Sequence, residues 1–325
     1  MKISDKTSKT KFIILLAILV FLFTAPNYVG LGNTTVMTLI FIYMALGQMW
    51  NFLGGFTGLV SLGNQIFIGL GGYSLAIVSQ KLGMPIPLGI FVGGLVSVLF
   101  ALVVSVPVFK MRGVFFTIGT WIIAETLLVI FGGWQYIGAG TGMNISVVFK
   151  VSPQSLYYIG LILGLLTILV VYFLLKSKFG LSLMAMRDNE SAAEASAIEL
   201  YRTKLISFLI AAFITGVAGG VMYMKQAFIQ SSTAFGINWT VAMVFMVIIG
   251  GIGTIEGPII GAIFYVIITQ YLYNYPGFGM LILGIIAIAV ILLAPKGIMG
   301  FINSKNIEII SIRRKLKYLP KDWKF

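Results

Sequence analysis

The chain is 325 residues long, 59% hydrophobic and 10% charged, with a net charge of +13 and a mean hydropathy of +1.04. A soluble domain carries about 25% charged residues to cover its core, so lipid has to supply the outer shell here. Cysteine and histidine are both absent, which excludes a disulfide framework, a thiolate nucleophile, and the commonest general base and metal ligand.

Apolar runs separated by charges and by Gly/Pro breaks predict an all-α, polytopic transmembrane bundle of about ten spans, eight to ten. They fall at 12–29, 34–53, 63–80, 86–109, 114–131, 155–175, 204–224, 237–251, 258–273 and 279–294. The strand alternation of a barrel is missing. Residues 1–325 read as one transmembrane domain. The first run resembles a signal peptide, but Thr24-Ala25-Pro26-Asn27 offers no clean cleavage site and further spans follow, so an uncleaved span is expected.

Two stretches between spans combine glycine with polar side chains: 54–65, with Ser61, Asn64 and Gln65, and 250–258, with Thr254 and Glu256. Irregular backbone at membrane depth needs protein or a water-filled cavity around it. These segments are therefore either path or gate elements or tight turns. Pairs such as Gly89/Gly93, Gly160/Gly164, Gly216/Gly220 and Gly257/Gly261 predict close helix packing. Glu125 lies mid-span, where a lone carboxylate should face the interior or a cavity; it serves a solute path or gate, or a packing hydrogen bond to a neighbouring helix.

The longest polar stretch between spans is 176–204. Asp188, Asn189 and Glu190 suit a helix N-terminus, and Ser191-x-x-Glu194 fits a capping box one turn on. Ala192, Ala193, Ala195 and Ala197 follow. A thin alanine-rich helix can dock against another backbone or sit as a solvated loop helix.

Charge sidedness orders these elements. With the N-terminus inside and ten spans, 19 of the 22 Lys/Arg fall on the cytoplasmic side, including Lys110, Arg112, the 176–204 segment and the basic tail of about 296–325. Lys81, Lys150 and Lys225 fall outside. Both termini are thus expected in the cytoplasm of a multi-pass cell-membrane protein. The tail is explained by attraction to anionic lipid, and no nucleic-acid partner is expected. The nine acidic residues include no close pair within a span, and no phosphate-cradling G-x-x-x-x-G-K-[ST] loop exists. The chain is not expected to be an enzyme, to bind a cofactor or to hold a metal.

Met186-Arg187-Asp188-Asn189-Glu190-Ser191-Ala192-Ala193-Glu194-Ala195, followed by Tyr201-Arg202-Thr203-Lys204-Leu205, closely resembles the coupling segment of ABC-importer permeases for branched-chain amino acids, the LivM/LivH type. Gly58 to Asn64, Lys110 to Phe116 with Ala124-Glu125, Gly250 to Pro258, and Pro295-Lys296-Gly297 resemble further blocks of that family, in order, with the LivM half fitting better. The resemblance implies a permease subunit without catalysis of its own. Its partners would be separate ATPase subunits gripping a helix over 184–200, a second permease (a paralogue), and an extracytoplasmic solute-binding protein, with ATP used by the partners. Asn64 stands where family members often have His, and Glu256 where an apolar or aromatic residue is usual. These departures bear on the solute, for which urea, sugars and nucleosides remain open alternatives. A secondary transporter or channel working without ATP is the rival reading.

Overall fold

A computed structural model of the chain describes residues 16–272, 276–293 and 297–304. The basic N-terminal cluster (Lys2, Lys6, Lys9, Lys11), Pro295-Lys296 and the tail beyond 304 lie outside the described residues. A helix occupies each of the ten apolar stretches. In chain order these are α1 (Leu16–Asn27), α2 (Leu31–Asn51), α3 (Gln65–Leu75), α4 (Ile86–Val108), α5 (Val114–Gly133) and α6 (Pro153–Lys176). The connecting helices α7 (Lys178–Asp188) and α8 (Glu190–Ala195) come next, followed by the long α9 (Leu200–Gln226). After these come the short α10 (Ser231–Ala234), α11 (Asn238–Gly250), α12 (Glu256–Leu272), α13 (Pro276–Leu293) and α14 (Gly297–Ser304). Among the described residues, six helical stretches are long and apolar enough to cross a membrane: Leu31–Phe56, Ile86–Val108, Val114–Gly133, Pro153–Lys176, Leu200–Gln226 and Ser231–Gly250.

The bundle is apolar inside and out. Val103, Phe115, Val129 and Phe173 are among the many large side chains exposed along the helices, as expected where hydrocarbon is the solvent. α2 is the central helix, packed on α6, α9, α11 and α12. Of its most apolar 18 residues 72% are buried inside the chain, against 22% for α5, which forms an outer edge.

Without a hydrophobic force between helices in lipid, contact has to come from close backbone approach. Gly71 of α3, Gly93 of α4 and Gly216 of α9 supply it. A Cβ built on Gly71 would stand 1.9 Å from the carbonyl oxygen of Gly216, and one on Gly93 would stand 2.9 Å from the Cα of Gly71. The three backbones therefore touch, and α3, α4 and α9 form the tightest part of the bundle.

Two helices end in widened turns. α2 runs on as a π-helix over Phe52–Phe56, and α3 as another over Ala76–Lys81. Such turns are rare and concentrate at functional positions. At the end of the bundle where the α3 widened turn lies, Met143–Asn144 (β1) pairs antiparallel with Phe228–Ile229 (β2), in the register Met143 to Ile229 and Asn144 to Phe228. Gln80 reinforces this end by accepting from the Ser146 hydroxyl and the Val147 amide, each at 3.1 Å.

The single helix expected over 184–200 is two. Asn189 adopts an extended conformation (φ −160°, ψ 109°) that ends α7, and its side-chain oxygen accepts the Ala192 amide at 3.1 Å to cap α8. Of the two starts the sequence offers, Asn189 is the cap.

Candidate functional site

The two glycine-rich segments and the 176–204 stretch meet at one end of the bundle. Asn51, fully buried at the end of α2, reaches across to the turn between α11 and α12. Its Oδ1 accepts the Gly253 amide at 2.8 Å, and its Nδ2 donates to the Thr254 carbonyl at 2.7 Å. Thr254 closes the turn: its hydroxyl donates to the Gly251 carbonyl at 2.8 Å and accepts the Gly257 amide at 3.0 Å, holding the start of α12. Gly55 and Gly253 lie so close that a Cβ on Gly55 would come 2.7 Å from the Gly253 nitrogen. Gly253 has a φ of +72°, a conformation glycine adopts freely. Arg187 enters this contact from α7, its Nη1 donating to the Gly55 carbonyl at 3.1 Å.

Residues 57–64 leave α2 as non-helical backbone that runs along the first turns of α5. Each polar backbone group exposed by the loss of helix needs a partner, and side chains supply several. Thr117 donates to the Val60 carbonyl at 2.7 Å, Thr120 accepts the Leu62 amide at 3.2 Å, and the Trp50 indole donates to the Ser61 carbonyl at 2.9 Å. The Ser61 hydroxyl accepts the Gly63 amide at 3.1 Å. Asn64 and Gln65 then start α3 in full burial, and Thr240 of α11 donates to Gln65 Oε1. Gln65 Nε2 and both amide atoms of Asn64 and of buried Gln48 on α2 have no hydrogen-bond partner among the described residues.

Glu125 is half-buried on α5, and its carboxylate accepts from the Trp121 indole at 3.0 Å, one turn back on the same helix. Among the described residues it makes no hydrogen bond to a neighbouring helix. The reason is the phase of α5. Phe116, Thr120, Ala124 and Leu127 occupy its inner face, which turns Glu125 towards the edge of the outer one. Glu256 opens α12, half-buried, in the first turn where a carboxylate suits the helix dipole.

The 187–195 segment divides by direction. Glu190 faces inward, its Oε1 2.7 Å from the ammonium of Lys204, whose side chain is only 11% exposed. Ala193 is buried. Asp188, Asn189, Ala192, Glu194 and Ala195 are exposed, leaving α8 a thin outer surface of small side chains and a single carboxylate. Sequence reasoning missed Asn51, Trp50, Thr117 and Thr120 as members of this site. They are ordinary span residues, and only their partners give them a role. No group of acidic residues among the described residues could hold a metal ion.

Residues 30–293 match the family described as the branched-chain amino acid transport system permease component. The chain belongs to that family. It is 25% identical to the high-affinity branched-chain amino acid transport system permease protein LivM of Salmonella typhimurium, over 91% of this chain and 76% of that protein. It is 31% identical to the probable LivH permease of Methanocaldococcus jannaschii, over 49% of this chain and 52% of that one. The autoinducer 2 import system permease LsrC of Yersinia enterocolitica matches at 24%, over 73% of this chain and 67% of its own. No solved structure matches. This permease is accordingly a multi-pass membrane protein, and its relatives are transport subunits.

Proposed function

We propose that this permease is the membrane subunit of an ATP-binding-cassette importer, carrying branched-chain amino acids handed over by an extracytoplasmic binding protein. ATP is hydrolysed by separate subunits. The observation that carries this reading is α8: a capped six-residue helix whose inner residues, Glu190 and Ala193, are fastened to the bundle while its outer face presents small side chains. A partner's backbone can approach such a surface closely.

In this reading α1–α6, α9 and α11–α13 make ten crossings with both ends cytoplasmic. Lys110, Arg112 and the 176–204 segment then share the cytoplasmic side, in accord with the positive-inside preference. The β1–β2 pair and the loops around it face the binding protein. The outer face of α5 belongs to the second permease, a paralogue. Val129 and Ile122 expose apolar surface one turn to either side of Glu125, and a carboxylate set against hydrocarbon costs about 3 kcal/mol or more. A polar path between two permeases removes that cost. Inside the chain, the side-chain amides of Gln48 and Asn64 and the Gln65 Nε2, without partners among the described residues, favour contact with water or a polar solute, since a buried unpaired polar group costs about 1–3 kcal/mol. The solute path or gate therefore draws on Ser61, Asn64, Gln65, Glu125, Thr254 and Glu256.

A second reading, an importer for another solute, is favoured by the match to the autoinducer 2 permease. Affinity capture of the tagged chain from mild detergent tests the assembly: an ATPase, a second permease and a binding protein should co-purify, and the ligand of that binding protein names the solute. Repeated recovery of the chain alone overturns the reading. Glu125→Gln is expected to leave assembly intact and to slow uptake by about tenfold, the scale of one lost electrostatic contact of about 1.4 kcal/mol; unchanged uptake would remove its charge from the path.

A further inference from the structure

Arg187 lies beside the residues that face the proposed ATPase, yet its guanidinium is committed to its own chain. Nε and Nη2 both donate to Asp188 Oδ1, at 3.0 and 2.9 Å, while Nη1 donates to the Gly55 carbonyl at 3.1 Å. The ion pair is exposed, with side chains 38% and 67% accessible, so it adds little stability. What it fixes is direction: a planar fork held by a carboxylate on one side leaves its remaining donor aimed at one point. That point is the C-terminal end of α2, where carbonyls lack helical donors and the dipole attracts a cation.

The contact is also mechanically direct. A Cβ on Gly58 would come 3.4 Å from the Arg187 Cα, and one on Gly253 would come 3.3 Å from the Gly55 oxygen and 3.5 Å from Arg187 Nη1. Nothing soft stands between α7, the widened turn Phe52–Phe56 and the 251–255 turn. Asn51 then carries the connection on to Gly253 and Thr254, and Thr254 to the start of α12.

We infer that Arg187 is a positioning residue, a strut that delivers displacement of α8 to both helix breaks at once: to α2 through Gly55, and to α11–α12 through Asn51. The inference rests on the importer reading. α8 receives the partner's motion on its exposed face, a single residue, Asn189, separates it from α7, and Arg187 converts that motion into movement of the two glycine-rich segments. The strut works as a fork, so charge alone does not replace it.

The test uses the whole complex, captured with its ATPase and placed in vesicles, and measures solute moved per ATP hydrolysed. Arg187→Ala and Arg187→Lys are both expected to retain the ATPase subunit and to hydrolyse ATP, with the transport-to-hydrolysis ratio reduced by about tenfold, within the usual span of coupling between sites. Lysine should restore little, because its ammonium lacks the planar fork whose separate nitrogens hold Asp188 on one side and the Gly55 carbonyl on the other. Asn51→Ala should lower the same ratio, and the Arg187→Ala/Asn51→Ala double variant should be no worse than the weaker single, as expected of one linked unit. Should the alanine variant fail to accumulate, Arg187→Gln, which keeps a polar side chain but loses the charge and the fork, reads the same ratio. An unchanged ratio in these variants overturns the strut, and loss of the ATPase subunit assigns Arg187 to the partner interface instead. A wild-type chain that brings down no ATPase, or moves solute without ATP, refutes the importer reading itself, separately from the strut.

Discussion

Replacing Glu190 by lysine is expected to abolish transport while leaving the chain inserted in the membrane. The Lys204 ammonium is nearly buried at the start of α9, and the Glu190 carboxylate 2.7 Å away is its counter-charge. Two unit charges of the same sign at about 4 Å repel by about 4 kcal/mol in the effective dielectric of a protein surface, and the new ammonium cannot stay where the carboxylate was. α8 has only six residues, the Asn189 cap and the buried Ala193 methyl to keep it in place otherwise. It should therefore lift from α9 and lose its register against any partner. The transmembrane helices do not depend on the pair, so insertion should be normal. Uptake in vesicles and co-purification of the ATPase check this: both should fall together. Glu190→Gln, which retains an acceptor for Lys204, should be milder, and Lys204→Glu in the Glu190→Lys background should restore part of the loss. Normal uptake by Glu190→Lys would remove α8 from the mechanism.

A side chain at Gly71 is expected to have the largest effect on the fold. A real Cβ is essentially never found under 3.0 Å from such an atom, and one at Gly71 would lie 1.9 Å from a backbone oxygen of α9. Neither partner is a flexible side chain that could swing away, so α3 and α9 would have to separate, pulling Gly93 of α4 with them. Overpacking costs typically about 1–3 kcal/mol. The rigid backbones on both sides place Gly71→Leu at or above the top of that range, and even Gly71→Ala should be clearly destabilised. Thermal unfolding in detergent measures this, with Gly284→Ala on α13 as the control, since no atom lies within 4 Å of the Cβ position there. Equal stability of Gly71→Ala and Gly284→Ala would show that the helices do not meet as described.

The contrast between these two residues shows how far a sequence reaches. Apolar runs placed a helix at each of the ten stretches, because burial in lipid is written in composition alone, and glycine pairs marked where helices would approach. The Asp188-Asn189-Glu190 cluster announced a helix start, and Asn189 is that cap. What one-dimensional pattern could not supply is helical phase within the bundle. Arg187 and Glu190 read as partner-facing charges, yet each also bonds to its own chain, Arg187 while staying exposed, because the groups they reach, the Gly55 carbonyl and Lys204, come from other helices. Asn51 has nothing in its local sequence to distinguish it, and its role depends on residues about two hundred positions away. Glu125 is the intermediate case. Its partner Trp121 stands four residues earlier, a spacing that puts two side chains on one helix face, so this bond was readable where the outward direction of α5 was not.

The central claim is that this chain forms the passive membrane part of a pump whose motor is another protein. The most direct measurement is uptake of radiolabelled leucine into vesicles containing the captured complex, with its binding protein outside and ATP or a non-hydrolysable analogue inside. The account predicts accumulation against a gradient only with hydrolysable ATP and only with the binding protein present. Accumulation of leucine at the same rate with the analogue, or driven by an imposed ion gradient alone, would contradict it.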